Sequence, residues 1–178
     1  MQLVNLPGMG GSDEHHWQSH WERSSSELRR FSPSSWDAPD FDDWSDALDR
    51  AVAQEPAVLV AHSLACLLAV RWSVANHTRV AGLFLVAAPD PGGERFPTEV
   101  RAFGSGLDVR ITVPSLLVTS DDDPYCSTRQ SAAFADSWDI PRISIGRRGH
   151  VNSASGLGPW IEGRNLLTAF TAGLAPTR

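Results

Sequence analysis

The chain has 178 residues with 15 basic and 21 acidic side chains, a formal net charge of −6, and 42% hydrophobic residues. This length supports one substantial core, so we predict a single domain over residues 1–178. Every basic residue is an arginine, which excludes mechanisms that need a lysine Schiff base or a phosphate-binding lysine. The excess of acidic over basic side chains, and the absence of any cluster of basic residues along the sequence, argue against nucleic acid or an anionic membrane surface as a partner.

The first ten residues, MQLVNLPGMG, contain neither the positive region nor the long apolar run of a signal peptide. No stretch approaches the roughly 18 apolar residues that a membrane span needs. We therefore expect a cytoplasmic protein. Cys66 and Cys126 form no C-x-x-C pair, so we expect free thiols rather than a disulfide framework or a structural zinc site.

Short apolar runs alternate along the chain with stretches of helical periodicity. In chain order, the predicted strands are 3–6, 57–61, 80–87, 115–119 and 142–145, and the predicted helices are 17–28, 41–51, 64–74, 127–138 and one marked by Trp160, Leu167 and Phe170. This alternation predicts an α/β fold, in which helices cover both faces of a mostly parallel sheet.

The least regular stretch is 89–113, which contains PDPGG, FP and GSG. It is too short for a lid domain. Two interpretations are open: a long connection that carries one short helix, or a partial cover over an active site.

Residues 58–66, VLVAHSLAC, place Ser63 between a buried strand and an apolar helix start. A serine in this position is typical of a nucleophile elbow, G-x-S-x-G, where the backbone turns so sharply that only small residues fit two positions before and after it. Ala61 and Ala65 meet this steric requirement in place of glycine. Taken alone the motif is weak, because a serine that caps the following helix would give the same pattern.

A serine hydroxyl needs a base to become a nucleophile, and a neutral imidazole suits this task near pH 7. In elbow-containing folds the acid and the histidine follow Ser63 in that order, each after a late strand. Residues 120–125, SDDDPY, follow the fourth apolar run, and residues 146–152, GRRGHVN, follow the fifth. Loops after parallel strands meet at one edge of the sheet, which predicts His150 as the base for Ser63.

Three adjacent aspartates compete for the role of the acid. We favour Asp123, which stands directly before Pro124 in a D-P-Y arrangement, over Asp122, with Asp121 last. The remaining aspartates are interpreted as turn and helix-capping residues. A cation site is not expected here, because no EF-hand spacing and no neighbouring histidine accompanies the carboxylates.

An oxyanion hole would take one backbone N–H from Leu64, directly after the nucleophile, and one from the glycine-rich loop after the first strand. In that loop we nominate Met9, with Gly10 as the competing donor. Gly10 and Trp17 are also predicted to border the substrate. The loop lacks the third glycine of a dinucleotide-binding loop and any lysine, so no cofactor is expected.

The histidines near the N-terminus, His15, His16 and His20, are interpreted as surface residues or as residues at the edge of the substrate site. His16 and His20 have a spacing of four, but no H-E-x-x-H motif accompanies them, so no metal site is predicted. His62 should point away from Ser63 and serve packing or hydrogen bonding.

Several motifs along the chain match one family. The chain resembles the small serine hydrolases of the retinoblastoma-binding protein 9 and YdeN type in the start P-G-x-G-G-S with His16-Trp17, in the elbow H-S-L-A, in the loop S-x-D-D-P-Y, and in the end G-H-x-N-x-x-S-G-x-G-x-W. The resemblance extends from about residue 1 to 170. It implies an α/β-hydrolase fold, a three-layer αβα sandwich without a lid domain, with Ser63, Asp123 and His150 at the positions of the family triad.

These observations predict a serine hydrolase that acts on small ester, thioester or activated amide substrates through an acyl-enzyme, with carboxylesterase activity favoured. Without a lid the pocket should be shallow and favour short or flexible acyl groups. The alternative is a weakly active or silent binding protein on the same fold. Arg147 and Arg148 are interpreted as a solvated loop edge, with steering of an acidic substrate as the alternative.

Overall fold

The structure is a computed structural model that describes residues 2–52 and 55–174. Its strands are β1 (Gln2–Leu6), β2 (Leu28–Arg30), β3 (Ala57–His62), β4 (Val80–Val86), β5 (Ser115–Thr119) and β6 (Arg142–Ser144). Its α-helices are α1 (Trp17–Ser24), α2 (Phe41–Ala51), α3 (Leu64–Ala75), α4 (Thr128–Trp138) and α5 (Ile161–Ala172). Short 3₁₀ segments occupy His77–Arg79, Thr98–Gly104 and Ser153–Ser155.

The six strands form one sheet in the order β2-β1-β3-β4-β5-β6, and all neighbouring strands are parallel. The direction of winding reverses between β1 and β3. In open parallel sheets, ligands bind at the carboxyl ends of the strands beside such a reversal. The fold thus places the glycine-rich loop after β1 next to the turn after β3.

Both faces of the sheet are covered by helices, as the central strand β3 shows. Ala57, Leu59 and Ala61 pack on the face covered by α2, α3 and α4, whereas Val58 and Val60 pack on the face covered by α1 and α5. All six residues of β3 are buried, as expected for a strand between two helical layers. The predicted three-layer α/β architecture is confirmed.

Local signals explain where two of the helices begin. The side chain of Asp40 accepts hydrogen bonds from the backbone N–H groups of Asp42 and Asp43 and caps α2. Ser127 caps α4 in the same way through the N–H of Gln130. These are the polar residues directly before helical periodicity that make a helix start readable from sequence.

The main departure from the predicted elements lies between residues 17 and 30. The helix predicted over 17–28 ends at Ser24, and Leu28–Arg30 forms the edge strand β2 beside β1. Consecutive serines at 24–26 are weak helix formers. A three-residue strand with two arginines carries too little apolar pattern to be recognised from sequence.

Candidate active site

Ser63 lies at a sharp turn between β3 and α3. Its backbone adopts φ 55° and ψ −128°, a strained conformation for a residue with a side chain. Ala61 and Ala65 are completely buried on either side, so larger residues would collide with their surroundings. The Ser63 side chain makes no capping hydrogen bond to α3, which removes the interpretation of this serine as a helix cap.

The side chains of Ser63, His150 and Asp123 are joined by hydrogen bonds. His150 Nε2 lies 2.7 Å from Ser63 Oγ, and His150 Nδ1 lies 2.9 Å and 3.0 Å from the two carboxylate oxygens of Asp123. The side chains of His150 and Asp123 are 9% and 3% exposed. Ser63 follows β3, Asp123 follows β5 and His150 follows β6, so Ser63 and His150 meet at one sheet edge although they are 87 positions apart in sequence.

Asp122 and Asp121 have other partners. Asp122 Oδ1 accepts hydrogen bonds from the backbone N–H of Gly149 and from Ser120 Oγ. The bond from Gly149 is the main reason why the pKa of Asp122 is lowered. Asp121 Oδ1 accepts a hydrogen bond from Ser144 Oγ. The geometry thus pairs Asp123 with the imidazole, whereas Asp122 holds the loop that carries it.

Two aromatic side chains hold the backbone of the His150 loop from beneath. His62 Nε2 lies 2.9 Å from the carbonyl oxygen of His150, and Trp17 Nε1 donates to the carbonyl oxygen of Val151 at 2.8 Å. The prediction that His62 packs and forms hydrogen bonds is confirmed. Neither loop partner could be read from local sequence, because each bond joins residues 88 or 134 positions apart.

His16, His62 and His150 form a row of imidazoles beneath the site. Ring centroids are 4.7 Å apart for His16 and His62 and 5.1 Å apart for His62 and His150. Burial lowers the pKa of His16 to about 4 and that of His62 well below its usual range. Both rings are therefore neutral near pH 7. His15 is exposed, whereas His16 is buried and lines the cavity.

Two backbone N–H groups of residues that line the cavity have no hydrogen-bond partner among the described residues. Those of Leu64 and Met9 make no hydrogen bond within residues 2–52 and 55–174, and both residues line the cavity. The loop after β1 approaches the elbow closely at Gly8, because a Cβ on this glycine would lie 2.9 Å from Ser63 Cβ and 3.0 Å from the His62 carbonyl oxygen. The N–H of Gly10 donates to the carbonyl of Trp36 and is not available as the competing donor.

A cavity of about 450 Å³ opens beside Ser63 and His150. Its other lining residues are Gly8, Met9, Gly11, Ser12, Asp13, His16, His62, Leu64, Pro89, Phe96, Pro97, Val100, Tyr125, Asn152, Ser153 and Ala154. The segment between β4 and β5 supplies four of them, with Phe103 anchored in the core. This segment is both a long connection with a short 3₁₀ segment and a partial cover of the cavity.

Two predicted substrate contacts are wrong. Trp17 is 1% exposed and packs against Trp21 and Trp160 in the core, outside the cavity lining. Gly10 is exposed, a Cβ on it would meet nothing within 4 Å, and it does not line the cavity. In both cases closeness in sequence to the loop after β1 was mistaken for closeness to the substrate, although neighbouring residues such as Met9 and Gly11 do line the cavity.

Other features of the described residues bear on cofactors and the membrane. No group of three histidine, cysteine or acidic side chains in 2–52 and 55–174 is arranged to hold a metal ion. In the same ranges, no helix has the length and apolar character needed to cross a membrane.

Cys66 and Cys126 are buried free thiols, and burial raises the pKa of Cys126 to about 12, so neither is poised as a nucleophile.

Comparison with known proteins agrees with this architecture. The protein-family model described as Serine hydrolase matches residues 3–169. A YdeN-like hydrolase from Pectobacterium atrosepticum is 33% identical, with a TM-score of 0.87 and coverage of 98% of this chain and 92% of that one. The ydeN gene product of Bacillus subtilis is 18% identical, with a TM-score of 0.77 and coverage of 96% and 98%.

A more distant structure shares the fold alone. The N-formylmaleamic acid deformylase of Pseudomonas putida is 16% identical, with a TM-score of 0.69 and coverage of 92% and 91%. A search of curated proteins found no match. The family match over nearly the whole chain, together with the close structural relative, shows that this α/β-hydrolase belongs to the serine hydrolase family of YdeN type.

Proposed function

We propose that this hydrolase cleaves small ester, thioester or activated amide substrates through Ser63, His150 and Asp123, with an acyl-enzyme intermediate. The observation that carries the proposal is the 2.7 Å contact between His150 Nε2 and Ser63 Oγ. The other ring nitrogen of His150, Nδ1, contacts Asp123 at the same time. A nucleophile, its base and an orienting acid within hydrogen-bond reach are the arrangement that acyl transfer needs.

In the first step His150 Nε2 accepts the proton of Ser63 Oγ as the oxygen attacks the substrate carbonyl carbon. The new C–O bond gives a tetrahedral oxyanion. His150 then delivers the proton to the leaving group as its bond to the carbonyl carbon breaks, which leaves the acyl group on Ser63. Water repeats both steps and releases the acid. Asp123 keeps the Nδ1 proton of His150 in place and stabilises the imidazolium.

The backbone N–H groups of Leu64 and Met9 are the donors proposed for the oxyanion. Donors that are already oriented toward the developing charge lower the barrier without reorganisation during the reaction. The close approach of Gly8 to Ser63 and to the His62 carbonyl oxygen supports this assignment, because the lack of a side chain lets the loop after β1 lie against the elbow. No metal or organic cofactor takes part in these steps.

The cavity supports substrates of modest size. A volume of about 450 Å³ lies toward the lower end of small-molecule sites, and Pro89, Phe96, Pro97 and Val100 partly cover it. We therefore propose a carboxylesterase-like preference for short acyl groups. Clear preference for long-chain lipid esters would contradict this part of the proposal.

Covalent labelling tests the proposed nucleophile. A fluorophosphonate probe should label the wild-type protein, and Ser63→Ala should abolish both labelling and the hydrolysis of p-nitrophenyl acetate. Ser127→Ala is the matched control, because Ser127 caps α4 away from the cavity lining. It should keep both signals.

The opposite result favours the second candidate function. If the folded wild-type protein is neither labelled nor able to hydrolyse activated esters above background, the proposed mechanism fails. The chain would then be a binding protein on a hydrolase fold. Labelling that persists in Ser63→Ala would place the nucleophile elsewhere.

A further inference from the structure

Two chemically different sets of residues lie among those that line the cavity. Pro89, Phe96, Pro97 and Val100 form an apolar set on the segment between β4 and β5. A polar set comes from the loop after β1 and the loop after β6, and consists of Ser12, Asp13, Asn152 and Ser153. The two loops are tied together, since Ser153 Oγ donates to Asp13 Oδ1 at 2.7 Å.

Asp13 carries the charge of this cavity. Among the lining residues within 2–52 and 55–174, the other ionisable side chains are the phenol of Tyr125, which can carry no positive charge, and the imidazoles of His16, His62 and His150. Burial keeps His16 and His62 neutral by lowering their pKa values, and His150 must be neutral to act as a base. The hydrogen bond from Ser153 lowers the pKa of Asp13, so its carboxylate is ionised at neutral pH.

The carboxylate is held in place but has room for a ligand. Oδ1 accepts hydrogen bonds from Ser153 Oγ and from the backbone N–H of His15. The backbone N–H of His16 also lies near the carboxylate and lowers its pKa, but no other side chain within the described residues donates a hydrogen bond to it. Oδ1 therefore fixes the orientation of the group, and because Asp13 is exposed, the carboxylate remains accessible to a donor from a bound molecule.

No arginine neutralises this charge from within the cavity, as far as residues 2–52 and 55–174 show. Arg30 donates to the carbonyl of Ser12, but its guanidinium is paired with Glu22. Arg147 pairs with Asp122 and does not line the cavity. Arg147 and Arg148 thus give no support to the steering of an acidic substrate. The electrostatic potential in the cavity is negative because Asp13 is not neutralised there.

We propose that the substrate carries an ammonium group, primary or quaternary, that binds against Asp13 while an apolar group binds against Phe96 and Val100. This inference rests on the proposed function and names its substrate class. The ammonium group belongs either to the acyl part or to the leaving group, and the same chemistry recognises it in both positions. Substrates with a carboxylate at this place are disfavoured by repulsion from Asp13.

Pairs of substrates that match in shape and differ in charge test the proposal. For the leaving group, the pair is acetylcholine and its neutral isostere, in which tert-butyl replaces trimethylammonium. For the acyl part, the pair is the p-nitrophenyl ester of trimethylammoniobutyric acid and the ester with tert-butyl in the same place. In at least one pair, kcat/KM should be about fivefold higher for the cation at low salt, as expected for a partly exposed ion pair.

Variants assign this preference to one side chain. Asp13→Asn preserves the shape and the acceptor oxygen, and it should bring the ratio of kcat/KM for cation over isostere to about one. Glu14→Gln is the matched control, because it removes the same charge from an exposed neighbour that does not line the cavity. It should retain the wild-type ratio. Added salt should reduce the wild-type ratio by screening.

The outcomes separate this inference from the proposed function. Hydrolysis of both members of each pair with a ratio at or below one, or a ratio that Asp13→Asn leaves unchanged, overturns the inference alone. If no ester is hydrolysed, the proposed function fails, and the inference is then tested by measuring ligand binding instead of kcat/KM. NMR titrations of Ser63→Ala with choline and its neutral isosteric alcohol should then show tighter choline binding, absent in Ser63→Ala/Asp13→Asn. Equal binding of both alcohols would overturn it.

Discussion

The imidazole Nε2 of His62 lies 2.9 Å from the carbonyl oxygen of His150. The residue directly before the proposed nucleophile thus holds the backbone of the residue that carries the proposed base. His62 is neutral, because burial lowers its pKa, so Nε2 carries its proton and donates to the carbonyl. One short turn therefore presents the hydroxyl and anchors the loop that must reach it.

Removing this bond should impair the reaction more than it impairs binding. His62→Leu leaves the buried carbonyl of His150 without its donor, at a cost of about 1–3 kcal/mol, and should lower kcat by about tenfold or more while KM changes little. His62→Gln, whose amide can take the place of Nε2, should recover most of kcat. Equal losses in both variants, or a loss confined to stability, would contradict the positioning role.

The two neighbouring aspartates should differ sharply in their effect on catalysis. Asp123→Asn removes the acceptor that orients His150 Nδ1 and should lower kcat/KM by about 10³- to 10⁴-fold. Asp122→Asn weakens the contacts to Gly149, Ser120 and Arg147, none of which reaches the imidazole, and we expect a loss of about tenfold or less. Steady-state hydrolysis of p-nitrophenyl acetate measures both. A larger loss in Asp122→Asn would reverse the assignment of the acid.

His16 should make stability depend on pH. Its pKa is about 4 in the folded protein and 6.5 without the fold, so below pH 6.5 the unfolded chain binds a proton that the folded chain does not. Protonation of the unfolded chain therefore leaves the free energy of unfolding unchanged above pH 6.5 and lowers it progressively as the pH drops toward 4. Between pH 7.5 and 5 the decrease amounts to about 2 kcal/mol.

Urea unfolding at the two pH values measures this contribution. His16→Asn keeps an acceptor for the N–H of Gln18, which His16 Nδ1 caps, and removes the ionisable ring. It should reduce the loss of stability between pH 7.5 and 5 by about 2 kcal/mol. His15→Gln, at an exposed position, is the control and should behave like the wild type. Identical pH dependence in His16→Asn would refute the assignment.

Gly8 should tolerate no side chain. A Cβ at this position would meet Ser63 Cβ at 2.9 Å and the carbonyl oxygen of His62 at 3.0 Å, so Gly8→Ala must displace either the loop or the elbow. We expect kcat/KM to fall by about 10²-fold or more, the scale on which misplaced reacting groups lose rate. Gly92→Ala, whose Cβ would make only an ordinary contact at 3.4 Å, should keep its activity.

Much of this protein could be predicted because local pattern and topology agree. Short apolar runs before Ser63, before the aspartates and before His150 predicted parallel strands, and the carboxyl ends of parallel strands share one edge. Capping residues such as Asp40 and Ser127 marked helix starts from sequence alone. The short edge strand β2 was missed, because its pairing with β1 stabilises it and no pattern of its own does.

The sequence by itself determined where five of the six strands and the loops after them lie along the chain, and with that the expected convergence of three loops that are far apart in sequence. Only the tertiary structure decided which side chains within those loops meet. It paired Asp123 rather than Asp122 with the imidazole, moved Trp17 into the core, and placed His62 under His150. The physical reason is that local periodicity marks where most strands lie along the chain, whereas the direction of a side chain in a loop depends on contacts with residues distant in sequence.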